Sequence, residues 1–501
     1  MAIRRSHLFS LLPLALAACN TVQDQFSRQV LTPPTSWLAE PMALGLDAEP
    51  FEIVLHREAS LTGFFVPNAA ADGRTVVLFH GGDTNVSALG NYLTFLHDAG
   101  FQVVAFDPRG FGRSKGVPTL QAWLYDLPHL FAWLRERPDV KQLALYGSGL
   151  GSLAALWAAR TQGPCVALVA ESLPSLRALL QPAEGSDSPT GQFTAGWAEF
   201  AALPENIEPV DNAPATKVPA LFVLGENEPD RDRASLLATN AAYAGPHQFW
   251  VLHDTGAPPH AFLTYDGEYQ QNLTTFLRSA FAGQPQLVAA SAAKVRDASD
   301  GQAWYEFDLR CPGTSGERTA VEVSAALPDG SLHAANAWLD NGSGRVRLRL
   351  PAAPVQVGAM IAPGATADAE FGWQRAMTPL SRAGEAVAAL WPRIEELRHE
   401  TIQPADLRQL ALDLAAAEAK AAFPPQLECE LADVFALLGA ALCKSDDAAT
   451  ATQGRALLER AVAAAPAKPE LHFWPGPTAT YGWPQEDAVH RASQLRKRPA
   501  Q

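Results

Sequence analysis

Length, composition and charge limit what this chain can be. At 501 residues it is too long for one compact hydrophobic core, and 48% hydrophobic with 18% charged residues is typical of globular protein. The formal net charge of −15 argues against the basic surface that nucleic-acid phosphates require, so no nucleic-acid partner is expected.

The N-terminus has the features of an export signal. Arg4 and Arg5 precede an apolar run over residues 8–18, which is too short to serve as a stable membrane span. The run ends in Leu16-Ala17-Ala18-Cys19, which resembles the bacterial lipobox. That resemblance implies cleavage of residues 1–18 and a lipid anchor on Cys19. In lipoproteins of enteric bacteria, an Asp after the Cys retains the protein in the inner membrane. Asn20 stands there in this chain, so the resemblance favours the outer membrane. The alternative is an ordinary cleaved signal peptide with an incidental Cys.

The next segment, residues 19–50, is predicted to be a tether between that anchor and the folded protein. Pro33, Pro34 and Pro41 would interrupt any helix there. From residue 51 the pattern changes to alternating strands and helices, which predicts an α/β domain. Within it, the continuous apolar run at 75–79 is typical of a central parallel strand.

Three motifs follow three successive predicted strands in this domain. They are His80-Gly81-Gly82-Asp83, the loop 107–114 (D-P-R-G-F-G-R-S) and Tyr146-Gly147-Ser148-Gly149-Leu150-Gly151. In this order they resemble the α/β-hydrolase superfamily, in particular serine hydrolases whose nucleophile elbow reads Y-G-Q-S-L-G-G. The resemblance covers residues 51–283 and implies a mostly parallel sheet with flanking helices.

The same resemblance implies a catalytic layout with one part missing. Gly149 stands where the family has its nucleophilic Ser, whereas Glu228 takes the place of the acid, with Asp230 as the alternative, and His260 that of the base. The oxyanion donors implied are the backbone N–H of Leu150 and one from Gly82 or Asp83. His80 is interpreted as a structural residue of the oxyanion loop.

Acyl transfer by such a site needs an oxygen that attacks the acyl carbon and a His that accepts its proton. Gly149 supplies no such oxygen, and losing a nucleophile typically lowers kcat by about a million-fold. Ser148 is the alternative nucleophile, but an elbow centred on it needs glycines where Tyr146 and Leu150 stand. Because successive side chains point in different directions, we expect Ser148 to point away from His260.

Two further regions follow the predicted hydrolase domain. Alternating apolar residues and the hairpin signal Asp340-Asn341-Gly342-Ser343-Gly344 predict a small antiparallel β domain over 285–363, resembling a sandwich. Residues 379–470 have helical periodicity, and part of them resembles a single tetratricopeptide repeat, which indicates a protein partner. Residues 471–501 remain unassigned. No two His or Cys stand at ligand spacing, so neither a metal nor another cofactor is expected.

The sequence therefore leaves two hypotheses open. In the first, a lipid-anchored cell-envelope protein keeps a hydrolase fold without hydrolysing, and acts in binding or assembly because Gly149 lacks a nucleophile. In the second, the protein is a serine hydrolase that uses Ser148 with His260 and Glu228 to cleave an ester or other acyl compound. Both allow a small ester or acyl ligand in the hydrolase pocket.

Overall fold

The computed structural model describes residues 27–464. Gaps in this description fall at 28–29, 35–36, 38–39, 180–199, 202, 254, 257–259, 285–288, 298–300, 312–317, 363–364, 369–371, 376–378, 400–403 and 446. The predicted signal sequence, Cys19 and the tail 471–501 lie outside the described residues.

The first domain is built on an eight-stranded sheet. Its strands, in chain order, are β1 (Glu49–His56), β2 (Ala59–Val66), β3 (Arg74–Phe79), β4 (Gln102–Asp107), β5 (Gln142–Ser148), β6 (Ala167–Glu171), β7 (Ala220–Gly225) and β8 (His247–Leu252). They lie side by side as β1-β2-β4-β3-β5-β6-β7-β8. Strands β3 to β8 are parallel, whereas β1 and β2 are antiparallel. The predicted mostly parallel sheet is confirmed.

Eight α-helices accompany this sheet among the described residues. They are α1 (Gly90–Asp98), α2 (Leu120–Tyr125), α3 (Leu127–Glu136), α4 (Leu150–Thr161), α5 (Leu176–Leu179), α6 (Pro209–Asn212), α7 (Asp230–Ala242) and α8 (His260–Phe281). The central strands are apolar throughout because both faces of the sheet are covered. Val76 and Leu78 of β3 pack on the side of α1 and α8, whereas Val77 and Phe79 pack on the side of α3 and α4.

A second sheet follows the first domain. Its six antiparallel strands are β9 (Ala289–Asp297), β10 (Ala303–Arg310), β11 (Arg318–Ala326), β12 (Leu332–Asp340), β13 (Ser343–Leu350) and β14 (Gln356–Ile361), in the order β14-β11-β12-β13-β10-β9. The sheet curls until its edge strands β14 and β9 come together around one apolar core. The predicted antiparallel β domain is therefore present, but it is one curled sheet instead of two stacked ones. A separate hairpin pairs β15 (Ala365–Asp368) with β16 (Gly372–Arg375).

The curled sheet lies against the edge of the first sheet. Strand β14 runs beside β8, and the Ile361 N–H donates a 2.8 Å hydrogen bond to Gln248 Oε1. On β11, Val321 and Val323 face the core of the curled sheet. Glu322, between them, is buried on the other face, and burial raises its pKa. The β domain is thus packed onto the hydrolase-like domain.

The predicted helical region is also present. Its helices are α9 (Pro379–Ala388), α10 (Trp391–His399), α11 (Pro404–Lys420), α12 (Pro425–Glu430), α13 (Ala432–Leu442) and α14 (Ala448–Ala464). Helix α9 packs closely on α8, because a methyl group on Gly384 would lie 2.3 Å from the Leu263 carbonyl oxygen. The buried side chains of this region join those of α1 and α8 in one continuous core. The apolar faces of these helices are therefore used inside the chain, and the protein partner indicated by the tetratricopeptide-like pattern stays a prediction.

Part of the predicted tether also packs on the folded domain. The Ser27 and Trp37 side chains are buried, and a short 3-10 helix, Pro41–Leu44, lies against the start of α1. Ser27 Oγ accepts a 2.9 Å hydrogen bond from the Leu120 N–H at the beginning of α2. These residues of the segment are docked rather than acting as a free spacer. Among the described residues, no helix is long and apolar enough to cross a membrane.

Candidate active site

The structure places a sharp strand-to-helix turn at the centre of the sheet. Strand β5 ends at Ser148, α4 begins at Leu150, and Gly149 between them has φ 57° and ψ −126°. Close packing explains the flanking glycines. A methyl group on Gly147 would lie 2.4 Å from the Gly151 carbonyl oxygen, and one on Gly151 would lie 2.1 Å from the carbonyl oxygen of Phe79. The turn therefore has the geometry of a nucleophile elbow.

Gly149 has the backbone conformation of the nucleophile in such an elbow, but glycine has no side chain. A residue other than glycine held at such dihedral angles costs about 1–3 kcal/mol and persists where function requires it. Space for a side chain is nevertheless present, because the nearest atom to a Cβ at position 149 would be Gly81 Cα, 3.8 Å away. The Gly149 N–H donates a 2.9 Å hydrogen bond to the Glu171 carbonyl oxygen. The elbow is thus held in place and open towards the oxyanion loop.

The two segments expected to supply oxyanion donors are in contact. A methyl group on Gly82 would lie 2.6 Å from Leu150 Cδ1, so the loop after β3 and the start of α4 meet. His80 is buried below this loop, with Nδ1 2.7 Å from the Gly81 carbonyl oxygen and Nε2 3.4 Å from Asp107 Oδ1. These contacts support a structural role for His80. The backbone near Gly82 is therefore fixed beside the elbow.

Glu228 has the environment of a functional carboxyl group. It follows β7 and is only 4% exposed, and its Oε1 accepts hydrogen bonds from Ser172 Oγ (2.5 Å) and the Gly225 N–H (2.8 Å). Burial raises its pKa to about 8. Its other oxygen, Oε2, is buried without a hydrogen-bond partner among the described residues. The alternative acid, Asp230, instead pairs with Arg233 on the surface.

His260 is the first residue of α8, and its side chain lies outside the described residues. The chain that leads to it is nevertheless joined to the loop that carries Glu228. The Glu226 N–H donates to the Leu252 carbonyl oxygen (2.9 Å), and the Asn227 N–H donates to that of Thr255 (2.8 Å). The segments before the expected acid and the expected base therefore lie side by side.

Ser148 does not occupy the elbow. It is the last residue of β5, partly exposed and paired in register with Glu171 of β6. Tyr146, two residues earlier, points to the face covered by α8, because its hydroxyl lies 2.7 Å from that of Tyr269. Strand alternation puts Ser148 on this same face. Because the side chain of His260 lies outside the described residues, the expectation that Ser148 points away from His260 stays a prediction.

Sequence reasoning missed a buried polar cluster beside the elbow. Glu171, at the end of β6, is 1% exposed, and its Oε2 accepts hydrogen bonds from the Tyr269 hydroxyl (2.8 Å) and the Tyr146 hydroxyl. Burial raises its pKa to about 7. Oε1 is buried without a partner among the described residues. The available signal in the sequence was a carboxylate at the end of an apolar parallel strand. Functional groups are often found at the carboxyl edge of a parallel sheet.

Residues 180–199, between β6 and β7, lie outside the described residues. Within the described part of the chain, no group of three or more His, Cys, Asp or Glu side chains could hold a metal ion.

The arrangement around Gly149 could bind an acyl group and polarise its carbonyl oxygen through backbone N–H groups. It offers no nucleophile at the elbow itself.

Comparisons with known proteins agree with this geometry. Residues 70–186 match the family described as serine aminopeptidase, S33. The chain is 34% identical to YfhR of Escherichia coli (strain K12) over 110 residues, 21% of this chain and 39% of that protein. It is 30% identical over 92 residues to lysophosphatidylserine lipase ABHD12 of Mus musculus, 17% of this chain and 22% of that protein. The chain thus spans less than half the length of these relatives.

Among solved structures, a similar one is the Pyrococcus furiosus esterase Pf2001. It shares 20% sequence identity and has a TM-score of 0.40, covering 50% of this chain and 97% of the esterase. The family match contains the oxyanion loop and the elbow, and it ends before Glu228 and His260. These two residues therefore remain predictions from the motif order and from the geometry of their loops.

Proposed function

We propose that the domain of this chain with the α/β-hydrolase fold binds an ester or acyl compound without hydrolysing it. The protein would act in binding or assembly at the cell envelope, held there by a lipid on Cys19. One observation carries the proposal. Gly149 has the backbone conformation and the free space of an elbow nucleophile, yet it has no side chain.

The surroundings of Gly149 support ligand binding. Backbone segments at Gly82 and Leu150 meet beside the elbow, and an acyl carbonyl oxygen could accept hydrogen bonds from N–H groups there. The relative ABHD12 is named a lysophosphatidylserine lipase, which supports an acyl lipid as the class of ligand. Without a nucleophilic oxygen, an oxyanion hole polarises the carbonyl group but forms no acyl-enzyme.

One observation favours the second hypothesis, a serine hydrolase that uses Ser148. Ser148 lies on the α8 side of the sheet, paired in register with Glu171, whose pKa burial raises to about 7. A serine hydroxyl in that place could transfer its proton to a basic group. The position that faces Gly81 of the oxyanion loop is nevertheless that of Gly149, so we favour binding over hydrolysis.

Labelling with a fluorophosphonate probe tests the proposal. The probe forms a covalent bond only with an activated serine, and we therefore expect the wild-type protein to remain unlabelled under conditions that label an active esterase completely. The Ser148→Ala variant is the matched control and should behave identically. Labelling of the wild-type protein that disappears in Ser148→Ala would establish the second hypothesis instead.

The proposed anchor has its own test. A Cys19→Ser variant should lose the incorporation of radiolabelled fatty acid and leave the membrane fraction, because the sulfur that would carry the lipid is absent. Unchanged membrane association and no fatty-acid incorporation in either protein would contradict the anchor while leaving the proposed ligand site unaffected.

A further inference from the structure

The N-terminal segment of the chain is docked directly on the oxyanion loop. The Thr32 N–H donates a 2.7 Å hydrogen bond to the Gly82 carbonyl oxygen. A methyl group on Gly82 would lie 2.6 Å from the Val30 carbonyl oxygen, and Leu31 is buried in the same cluster as Leu150. Ser27, already described, is tied to the start of α2. The chain therefore approaches the folded domain at the carboxyl edge of its sheet, beside Gly149.

The short segment between Cys19 and Ser27 limits how far this edge of the sheet can lie from a lipid anchor on Cys19. Ser27 follows Cys19 by eight positions, and a fully extended chain spans at most about 3.6 Å per position, or about 29 Å in total. A domain the size of residues 51–283 is about 45 Å across. An anchor on Cys19 therefore keeps the edge that carries the elbow within reach of the membrane surface, nearer than the opposite edge.

Exposed apolar side chains lie on this same edge. Met42 (58% exposed) and Leu44 belong to the 3-10 helix beside Gly90, where α1 begins after β3. Val117 (58% exposed) lies in the loop that follows β4. In a parallel sheet both places adjoin the carboxyl ends of the strands. Exposed apolar residues grouped in this way are typical of contact with another surface.

Arg113 joins these two places into one surface. Its guanidinium group pairs with Glu40, next to the 3-10 helix, and lies 4.0 Å from the ring centroid of Trp37. Lys115, in the same loop as Val117, is exposed and pairs with Glu52. We call the set Met42, Leu44, Arg113, Lys115 and Val117 the carboxyl-edge surface. Because Arg113 and Lys115 are each paired with a carboxylate, the exposed apolar side chains are the part of this surface suited to the headgroup region of a bilayer.

We propose that the carboxyl-edge surface lies against the bilayer that holds the Cys19 anchor, so that the elbow receives its ligand from that bilayer. The ligand class is then an amphiphile with an ester-linked acyl chain, which can move from the membrane to Gly149 without crossing water. This proposal rests on the proposed anchor and extends the proposed function by naming the source of the ligand.

Photocrosslinking in vesicles tests the orientation. The full-length lipidated protein is placed in vesicles of phosphatidylethanolamine and phosphatidylglycerol, with p-benzoylphenylalanine at position 117. The matched control carries it at position 98, an exposed site at the far end of α1, towards the amino edge of the sheet. Both side chains are exposed, so neither replacement removes a core contact. We expect illumination to crosslink lipid at position 117 at least tenfold more than at position 98.

Flotation of the same vesicles separates the two possible failures. Protein that does not float with the vesicles lacks the anchor, which would overturn both the proposed envelope function and this inference. Protein that floats but crosslinks lipid equally at both positions, or only at position 98, is anchored in another orientation. That result would overturn the membrane-facing elbow and leave the anchor and the proposed ligand site intact.

Discussion

At the scale of single residues, Gly149 and Gly151 are both glycine for different reasons. The backbone at Gly149 has a positive φ with open space around it, whereas Gly151 has no space at all beside the Phe79 carbonyl oxygen. A side chain at position 149 therefore meets strain in its own backbone. One at position 151 meets a neighbouring strand that cannot move without disturbing the sheet.

Substitutions at positions 149 and 151 should therefore destabilise the folded protein to different extents. Gly149→Ala should lower the free energy of unfolding by about 1–3 kcal/mol because of its strained dihedral angles. Gly151→Ala should be more harmful than Gly149→Ala, because its Cβ would lie 2.1 Å from a backbone oxygen and force β3 and α4 apart. Urea unfolding followed by tryptophan fluorescence measures both. Equal losses would show that the contact at Gly151 is not tight.

Glu171 predicts a dependence of stability on pH. Its pKa is raised from 4.5 to about 7 in the folded protein, so between these pH values the folded state holds a proton that the unfolded state has released. Stability therefore decreases as the pH rises through this window, by on the order of 3 kcal/mol. The contribution is most favourable below pH 4.5 and is lost above about pH 7.

Replacing Glu171 with Gln should remove this dependence, because the amide does not titrate. We expect the difference in melting temperature between Glu171→Gln and the wild-type protein to shift in favour of the variant from pH 5 to pH 8. Differential scanning calorimetry at both values measures it, and Glu205→Gln, on an exposed acid, is the matched control. A difference that stays constant with pH would contradict the protonated state of Glu171.

At the scale of elements, the sequence was most informative where both sides of a strand are buried. The apolar run at 75–79 predicts a central parallel strand, and β3 is one because helices cover both faces of the sheet. Motif order similarly predicts the elbow between β5 and α4. The curl of the second sheet could not be predicted, because alternation shows that one face is buried but not what covers it.

Side-chain contacts between elements that are distant in the sequence could not be predicted either. Tyr146, Glu171 and Tyr269 come from β5, β6 and α8, and nothing in their local patterns indicates that their side chains meet. The docking of Thr32 on Gly82 likewise joins segments that composition alone describes as a spacer and a loop. Residue types at strand ends can suggest such contacts, but only the packing of elements establishes the partners.

At the scale of the whole molecule, the helical region completes the core of the hydrolase domain. Side chains of α9 to α14 continue the cluster that α1 and α8 begin, so α8 is covered on the side away from the sheet. Burial of apolar area contributes about 25 cal/mol per Å², and a domain that loses such a covering exposes a surface prone to aggregation. The C-terminal helices are therefore part of the folding unit.

Truncation tests this conclusion. A chain that ends at residue 378 lacks α9 to α14 and should be insoluble or form aggregates, because the outer side of α8 is exposed. The matched control ends at residue 464, after the last described helix, and keeps every contact of this core. Solubility and size-exclusion chromatography measure the result. A soluble, monomeric protein that ends at residue 378 would show that the two regions fold independently.

If the site keeps the elbow and lacks only its nucleophile, Gly149→Ser should hydrolyse esters. Hydrolysis of short-chain p-nitrophenyl esters is measured for the wild-type protein, Gly149→Ser and the matched control Gly149→Ala. We expect activity at least a hundredfold above the wild-type level in Gly149→Ser, and no gain in Gly149→Ala. No gain in Gly149→Ser would contradict this prediction, because a site that lacks only its nucleophile should become active. Equal, substantial hydrolysis by all three proteins would also contradict it, because the nucleophile would then lie elsewhere.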